Sequence, residues 1–353
     1  MRKGFIMKTI IDRTKLRNIE LRNRIFRSAT WMAMADEGGY INDAIINFYL
    51  ADSGVGAIIT GLTSVAPYDA FLEGGLRFSD DSYIPGNKKL TDAVHKAGSK
   101  IYMQTAITDS VRLNESGEVE KAPIDSLTKV EIEKRIHWFG DAATRAEMSG
   151  YDGVQIHAAH FFFLSRFISP LLNHRTDEYG GSSEGRAKIL VDVLKDMRSK
   201  TSHSFSIIVK LNASDMYPGG LTLDDFLTAG KMLADAGIDA IEVSANGTSV
   251  PHIKAGRDEG YFKNFAIELK KVVDIPVILV GGHRSIEEMN KTLNTTSIEY
   301  LSMSRPLVRE PDLIKRWKDG DSRPALCVSC NNCYSTPDHE CIFNIMARQK
   351  AAK

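Results

Sequence analysis

The main body of this 353-residue chain has no cysteine, since all four follow Leu326. A disulfide framework is therefore excluded for everything before the tail. No apolar run approaches the roughly 20 residues that a membrane-crossing helix requires. Neither sign of charge is in excess: 45 basic side chains face 45 acidic ones, so no global field draws the chain to nucleic acid or to an anionic membrane. The opening residues Met1-Arg-Lys-Gly-Phe-Ile lack the apolar core of an export signal, and Met7 is a second candidate start for the ordinary sequence. A glycine-rich turn after the first strand, the mark of a doubly wound dinucleotide-binding sheet, is missing too; that stretch reads Arg27-Ser-Ala-Thr-Trp31. A cytoplasmic chain without membrane or nucleic-acid partners is expected. Its hydrophobic content of 43% is enough for a substantial core.

What is present is a recurrence. Short apolar runs predict strands at Ile25–Ala29, Ala57–Thr60, Lys100–Gln104, Gly153–His157, Ile207–Leu211, Ala240–Ser244, Val277–Val280 and Glu299–Met303. Most are apolar throughout rather than alternating, as parallel strands covered by helices are. Between them lie amphipathic segments. Thr128 with Glu131, Thr222 with Asp225, and Ser285 with Glu288 have the spacing of a capping box. Asp141–Met148 and Phe226–Ala236 run into Ser149-Gly150 and Gly237, which suit helix ends. Helix, glycine and buried strand repeated in this way predict an α/β fold, a (β/α)8 TIM barrel in one domain. Residues 1–20 read as a lead-in, 21–320 as the barrel, and 321–353 as a short cysteine-containing C-terminal tail. The polar insertion Thr105–Ser126 reads as a loop or small hairpin over the barrel mouth, or as a plain surface excursion.

Chemistry in such a barrel collects at the carboxyl ends of the strands. Those ends carry Ala29-Thr30, Gly61, Gln104, His157 with His160, Lys210, Ser244, Gly281-Gly282 and Ser304-Arg305. Amide, imidazole, ammonium and guanidinium groups predominate there, without the carboxylates of a hydrolase or the thiols of a metal site. Two histidines three residues apart can converge on one acceptor and hold developing negative charge on oxygen. Loop histidines that merely bond backbone are the alternative. Leu279-Val-Gly-Gly-His-Arg-Ser285 before a helix, with Ser302-Met-Ser-Arg-Pro306, suits a phosphate site between strands seven and eight. A pair of tight turns would read the same.

The run His157-Ala-Ala-His160-Phe-Phe-Phe-Leu164, continuing through Arg175-Thr-Asp-Glu-Tyr-Gly-Gly181, closely resembles the signature of the old yellow enzyme family of flavin-dependent ene-reductases. The likeness extends over nearly the whole chain, and includes the barrel domain of the dienoyl-CoA and enoate reductases. It implies FMN across the barrel mouth, reduced by NADH or NADPH and reoxidised by a small electron-poor acceptor such as an α,β-unsaturated carbonyl compound. By the same resemblance, Ala29, Thr30 and Gly61 would border the flavin and Gln104 would bond its pyrimidine ring. Lys210, where relatives have arginine, would favour the anionic reduced ring. Gly281, Gly282, Ser304 and Arg305 would hold the phosphate, while His157 and His160 would grip the acceptor's oxygen. The Arg175–Gly181 segment with Arg186 reads as a structural loop, and a homo-oligomer remains open.

Two departures from the family pattern matter. Phe161 and Phe162 stand where relatives have glycine and a proton-donating tyrosine, leaving water or Tyr68, Tyr217 or Tyr261 as donors. Trp31 replaces a threonine or cysteine near flavin O4. These changes motivate a rival reading, a flavin-binding protein that has lost ene-reductase chemistry and serves electron transfer or sensing. In the tail, Cys327, Cys330, Cys333 and Cys341 have spacings that can hold zinc or a [4Fe–4S] cluster fed by an external reductase, or can remain free thiols.

Overall fold

The structure, a computed structural model, describes residues 7–51, 54–67, 73–108, 111–113, 119–121 and 123–352. Eight parallel strands close on themselves: β1 (Ile25–Arg27), β2 (Ala57–Ile59), β3 (Lys100–Ala106), β4 (Gly153–Ala158), β5 (Ser206–Asn212), β6 (Ala240–Ser244), β7 (Val277–Val280) and β8 (Tyr300–Met303). Pairing of β4 with β3, and of β8 with β1, completes the ring. The expected (β/α)8 barrel is observed, with strand limits shifted by at most two residues. The two-residue changes are at β1, which stops at Arg27, and at β3, which continues to Ala106 because Thr63–Ser64 pairs with its far end. Within the insertion, Val111–Leu113 and Val119–Lys121 form an antiparallel ribbon. Among the described residues no helix is long and apolar enough to cross a membrane.

The helices begin where side chains replace the missing backbone partners. Thr128 caps Lys129–Met148 and Thr222 caps Leu223–Asp235, each in a complete capping box. Ser285 differs from its expectation. It precedes the helix Ile286–Thr295 without a side-chain cap, because its hydroxyl donates to Glu259 at 2.6 Å. The Arg175 segment is tied down as expected for a structural loop: its guanidinium donates to the carbonyls of Ile124 and Leu127 at 2.6 and 2.7 Å.

Alternate residues of each strand face the barrel axis, and the stagger of a closed barrel stacks them in layers. The lowest layer is dry, built from Phe26, Tyr102, Ile208, Ala240, Ile278 and Tyr300 and closed beneath by Leu16, Ile19 and Leu21 of the hairpin preceding β1. A Cβ on Gly153 would lie 2.6 Å from the Tyr102 ring, so glycine in β4 is what admits that ring to the axis. Two residues further along, the side chains are polar on every one of these strands except β7, where Val280 stands, and β4 adds Gln155 above Gly153: Ser28, Gln104, Gln155, Lys210, Glu242 and Ser302, all buried. Above them is the mouth.

Candidate active site

A cavity of about 200 Å³ opens at the carboxyl ends of the strands. Its lining includes Ala29, Thr30, His160, Lys210, Ser244, Gly281, Gly282, Ser304 and Arg305, nine of the residues singled out from the sequence. Gln104 and His157 are buried beneath, 3% exposed each. Gly61 lines a smaller adjoining cavity, with Trp31 and Thr30 on the border between the two. Thr30 and Ser304 share a hydroxyl hydrogen bond of 2.8 Å that ties the rims of β1 and β8 together.

Chain geometry delivers the two imidazoles. His157 is the last inward-facing residue of β4. His160 and Phe161 then adopt left-handed backbone, with φ of 62° and 58°, which turns the chain back over the mouth. The rings lie 5.2 Å apart. His160 Nε2 shares a 2.9 Å hydrogen bond with the Ser244 hydroxyl, while His157 Nδ1 is buried without a partner among the described residues. Burial, with smaller contributions from His160 and then Lys210, holds His157 well below the usual histidine range. Burial and then the Lys210 charge push His160 down to about 3. Both rings are consequently neutral at pH 7, able to donate a hydrogen bond without carrying a proton to lose.

Phe162 packs on His157 at 4.9 Å and opens the short helix Phe163–Ile168, so an aromatic wall replaces an acid at this position. Of the tyrosines considered as donors, Tyr217 is largely exposed beside Phe161. Tyr261 gives its hydrogen to the Thr248 carbonyl and lies against the glycine pair. Tyr68 lies outside the described residues.

The opposite end of the cavity suits an anion. Gly281 and Gly282 have φ of 128° and 76°, and a Cβ on either would meet the Tyr261 ring at 3.0 Å. Among the described residues the amides of Gly282, His283, Ser304 and Arg305 find no acceptor, and unpaired amides at a strand-to-helix turn are what a phosphate needs. Arg305 faces the same space but already donates to the Val250 carbonyl at 3.1 Å and to Asn331. These residues fit FMN in their chemistry: orphan amides for the phosphate, and a cation, an amide side chain and an unpartnered imidazole for the ring and its acceptor.

Several contributors to this site carried no strong sequence signal. The tail folds back over the mouth. Arg284, 2% exposed, donates to the Cys327 carbonyl at 2.9 Å and to Ser329. Tyr334 bonds Ser249 at 2.7 Å, and the His339 ring rests 4.8 Å from Trp31. Gln155 and Glu242 were the detectable ones, polar residues in the interior of strands that are otherwise apolar up to His157 and Ser244 near their carboxyl ends. The four cysteines together line a separate cavity of about 20 Å³ that Arg305 borders.

Relatives agree with this geometry. The chain matches the NADH:flavin oxidoreductase / NADH oxidase family over residues 13–323. It is 32% identical over 342 residues to the NADH oxidase of Thermoanaerobacter brockii, covering 90% of this chain and 52% of that protein. It is 31% identical over 316 residues to the NADPH dehydrogenase of Clostridium acetobutylicum, covering 86% of this chain and 92% of that one. The chain thus spans about half the length of the first and nearly all of the second. The old yellow enzyme homologue from Zymomonas mobilis superposes with a TM-score of 0.74 at 22% identity, over 91% of this chain and 96% of that one, a likeness of fold. A closed barrel, an anion-ready turn between β7 and β8, and a family match over most of the sequence converge: the chain belongs to the NADH:flavin oxidoreductase / NADH oxidase family.

Proposed function

We propose that the protein is an FMN-dependent oxidoreductase of old yellow enzyme type, taking reducing equivalents from NADH or NADPH and passing them to an α,β-unsaturated carbonyl or another electron-poor acceptor. The observation that carries this is a pair of neutral imidazoles, His157 buried and His160 lining the cavity, in a site that also presents unpaired amides. When bound, FMN would supply the hydride chemistry between a nicotinamide and the acceptor. Gly282, Ser304 and Arg305 would hold its phosphate, Ala29 and Thr30 its edge, and Gln104 and Lys210 its pyrimidine side.

His157 and His160 donate hydrogen bonds to the acceptor's oxygen and polarise it, so that negative charge developing there is met by fixed donors. Ser244 orients His160 by its hydrogen bond. Phe162 packs on the His157 ring without offering a proton, and the Tyr261 hydroxyl is committed to Thr248, which leaves solvent, Tyr217 or Tyr68 as the proton source. The test is to mix anaerobic, NAD(P)H-reduced protein with a panel of enones and follow the flavin spectrum. Rapid reoxidation is expected. Protein that stays colourless after incubation with FMN sinks the proposal, and flavin inert to every acceptor favours the electron-transfer or sensing alternative that Phe162 and Trp31 motivate.

One observation favours an added electron port: all four tail thiols line a single cavity next to Arg305. Among the described residues, however, no three metal-ligating side chains converge on one point. The thiols as placed do not fit zinc or a [4Fe–4S] cluster, and no step runs through one. Iron, labile sulfide and zinc assays after anaerobic purification decide between free thiols and a cluster.

A further inference from the structure

Strand β6 reads Ala240-Ile-Glu-Val-Ser, and its one charge, Glu242, is wholly buried. Oε1 accepts from the hydroxyls of Ser28 at 2.8 Å and Ser302 at 2.6 Å. Oε2 accepts from the Gln155 amide at 2.6 Å and lies 3.4 Å from the Lys210 ammonium. Four partners from four other strands therefore converge on one carboxylate. A buried ion pair is a poor device for stability, because desolvating both charges offsets their attraction and well-packed apolar residues would serve as well or better. What Glu242 does provide is control over neighbours that reach the cavity floor.

That control takes two forms. Lys210, which lines the cavity, is held by Glu242 and by Ser28 at 2.9 Å, and part of its charge is compensated from below. The second form is directional. A carboxylate only accepts, so the Gln155 side chain must turn its NH2 towards Glu242. Its carbonyl oxygen then faces Gln104 and accepts from the Gln104 amide at 2.8 Å. One end of the Gln104 NH2 is thereby fixed, and with it the order of donor and acceptor that Gln104 presents to its surroundings. With a neutral amide at position 242, both glutamines would lose this orientation.

We propose that Glu242 is a positioning residue which sets the electrochemistry of the flavin through Lys210 and, by way of Gln155, through Gln104. The inference rests on the flavin reading above. It predicts that Glu242→Gln, which keeps the side chain's shape but turns one accepting oxygen into a donating NH2 and removes the negative charge, still binds FMN but stabilises the reduced, anionic ring. The expected upward shift is about tenfold in the reduction equilibrium, or about 30 mV for a two-electron couple. Gln155→Leu, which leaves the Lys210–Glu242 pair in place, should shift the visible flavin absorption while moving the potential less.

The measurement is the midpoint potential and spectrum of full-length wild-type and variant protein reconstituted with FMN, with near-UV circular dichroism to monitor folding. A flavin-loaded, folded Glu242→Gln protein with the wild-type potential overturns the role of charge. An unchanged spectrum in Gln155→Leu overturns the relay, and decides the matter alone if the position-242 variant does not fold. Wild-type protein that takes up no FMN overturns the proposed function and this inference together, and is thus distinguishable from either failure.

Discussion

Along the barrel axis, the layer of Phe26, Tyr102, Ile208, Ala240, Ile278 and Tyr300 lies one alternation below that of Ser28, Gln104, Gln155, Lys210, Glu242 and Ser302, with β1, β3, β5, β6 and β8 contributing to both. Both layers are buried. The lower one is held by area removed from water and by ring contacts such as Phe26 against Tyr300 at 5.5 Å. The upper one spends its burial on hydrogen bonds whose net contribution to stability is small. Identical backbone positions, two residues apart, thus divide the work: the lower layer holds the barrel shut and the upper one aims groups at the mouth.

That division can be broken by mutation. Phe26→Ala should lose about 3–5 kcal/mol of unfolding free energy by leaving a cavity, with the potential of bound flavin unaltered. Denaturant titration and redox titration of the same sample check both halves. A variant that instead shifts the potential while keeping its stability would reverse the assignment of the layers. His157→Ala and His160→Ala should act oppositely, each lowering kcat for an enone by about 10²–10³-fold, the effect of removing one oxyanion donor, at little cost in stability.

Acid should single out the mouth. His157, His160 and His283 all have pKa values depressed by burial, the latter two to about 3 and about 4, against an ordinary value of 6.5. Below pH 6.5 the unfolded chain takes up protons that the folded one refuses, so stability falls as pH drops and is unaffected by these groups above it. Each contributes up to about 1.4 kcal/mol per pH unit until its folded pKa is reached. Unfolding free energies at pH 7 and pH 5 should show the decline, and the double variant His157→Asn, His160→Asn should flatten it. The smallest effect sets a baseline outside both layers: Thr222→Ala should cost about 1 kcal/mol through its capping box, and a change in flavin potential there would blur the comparison.

The barrel was legible because parallel strands buried on both sides must be apolar nearly throughout, and the helices between them carry local start and stop chemistry. Nine of the cavity-lining residues, Ser244 included, were legible because strand ends and the family signature mark them. Glu242 and Gln155 were overlooked, although a charge inside Ala240–Ser244 was itself a signal. Ser285 misled because its spacing to Glu288 is that of a cap while Glu259, 26 residues earlier, wins its hydroxyl. The tail's path had no local signature. Its contacts join residues far apart in the chain, such as Arg284 with Cys327 and Trp31 with His339, and such pairings are set by tertiary packing alone.

Each rim loop of a barrel ordinarily belongs to one strand, yet the segment from Cys327 to His339 touches four of them. It bonds His252 and Ser249 after β6, Arg284 after β7 and Arg305 after β8, and it reaches Trp31 after β1. Half the circumference is laced by a single strand of chain. Local opening of any of those loops therefore has to break a contact with the tail as well as its own bonds.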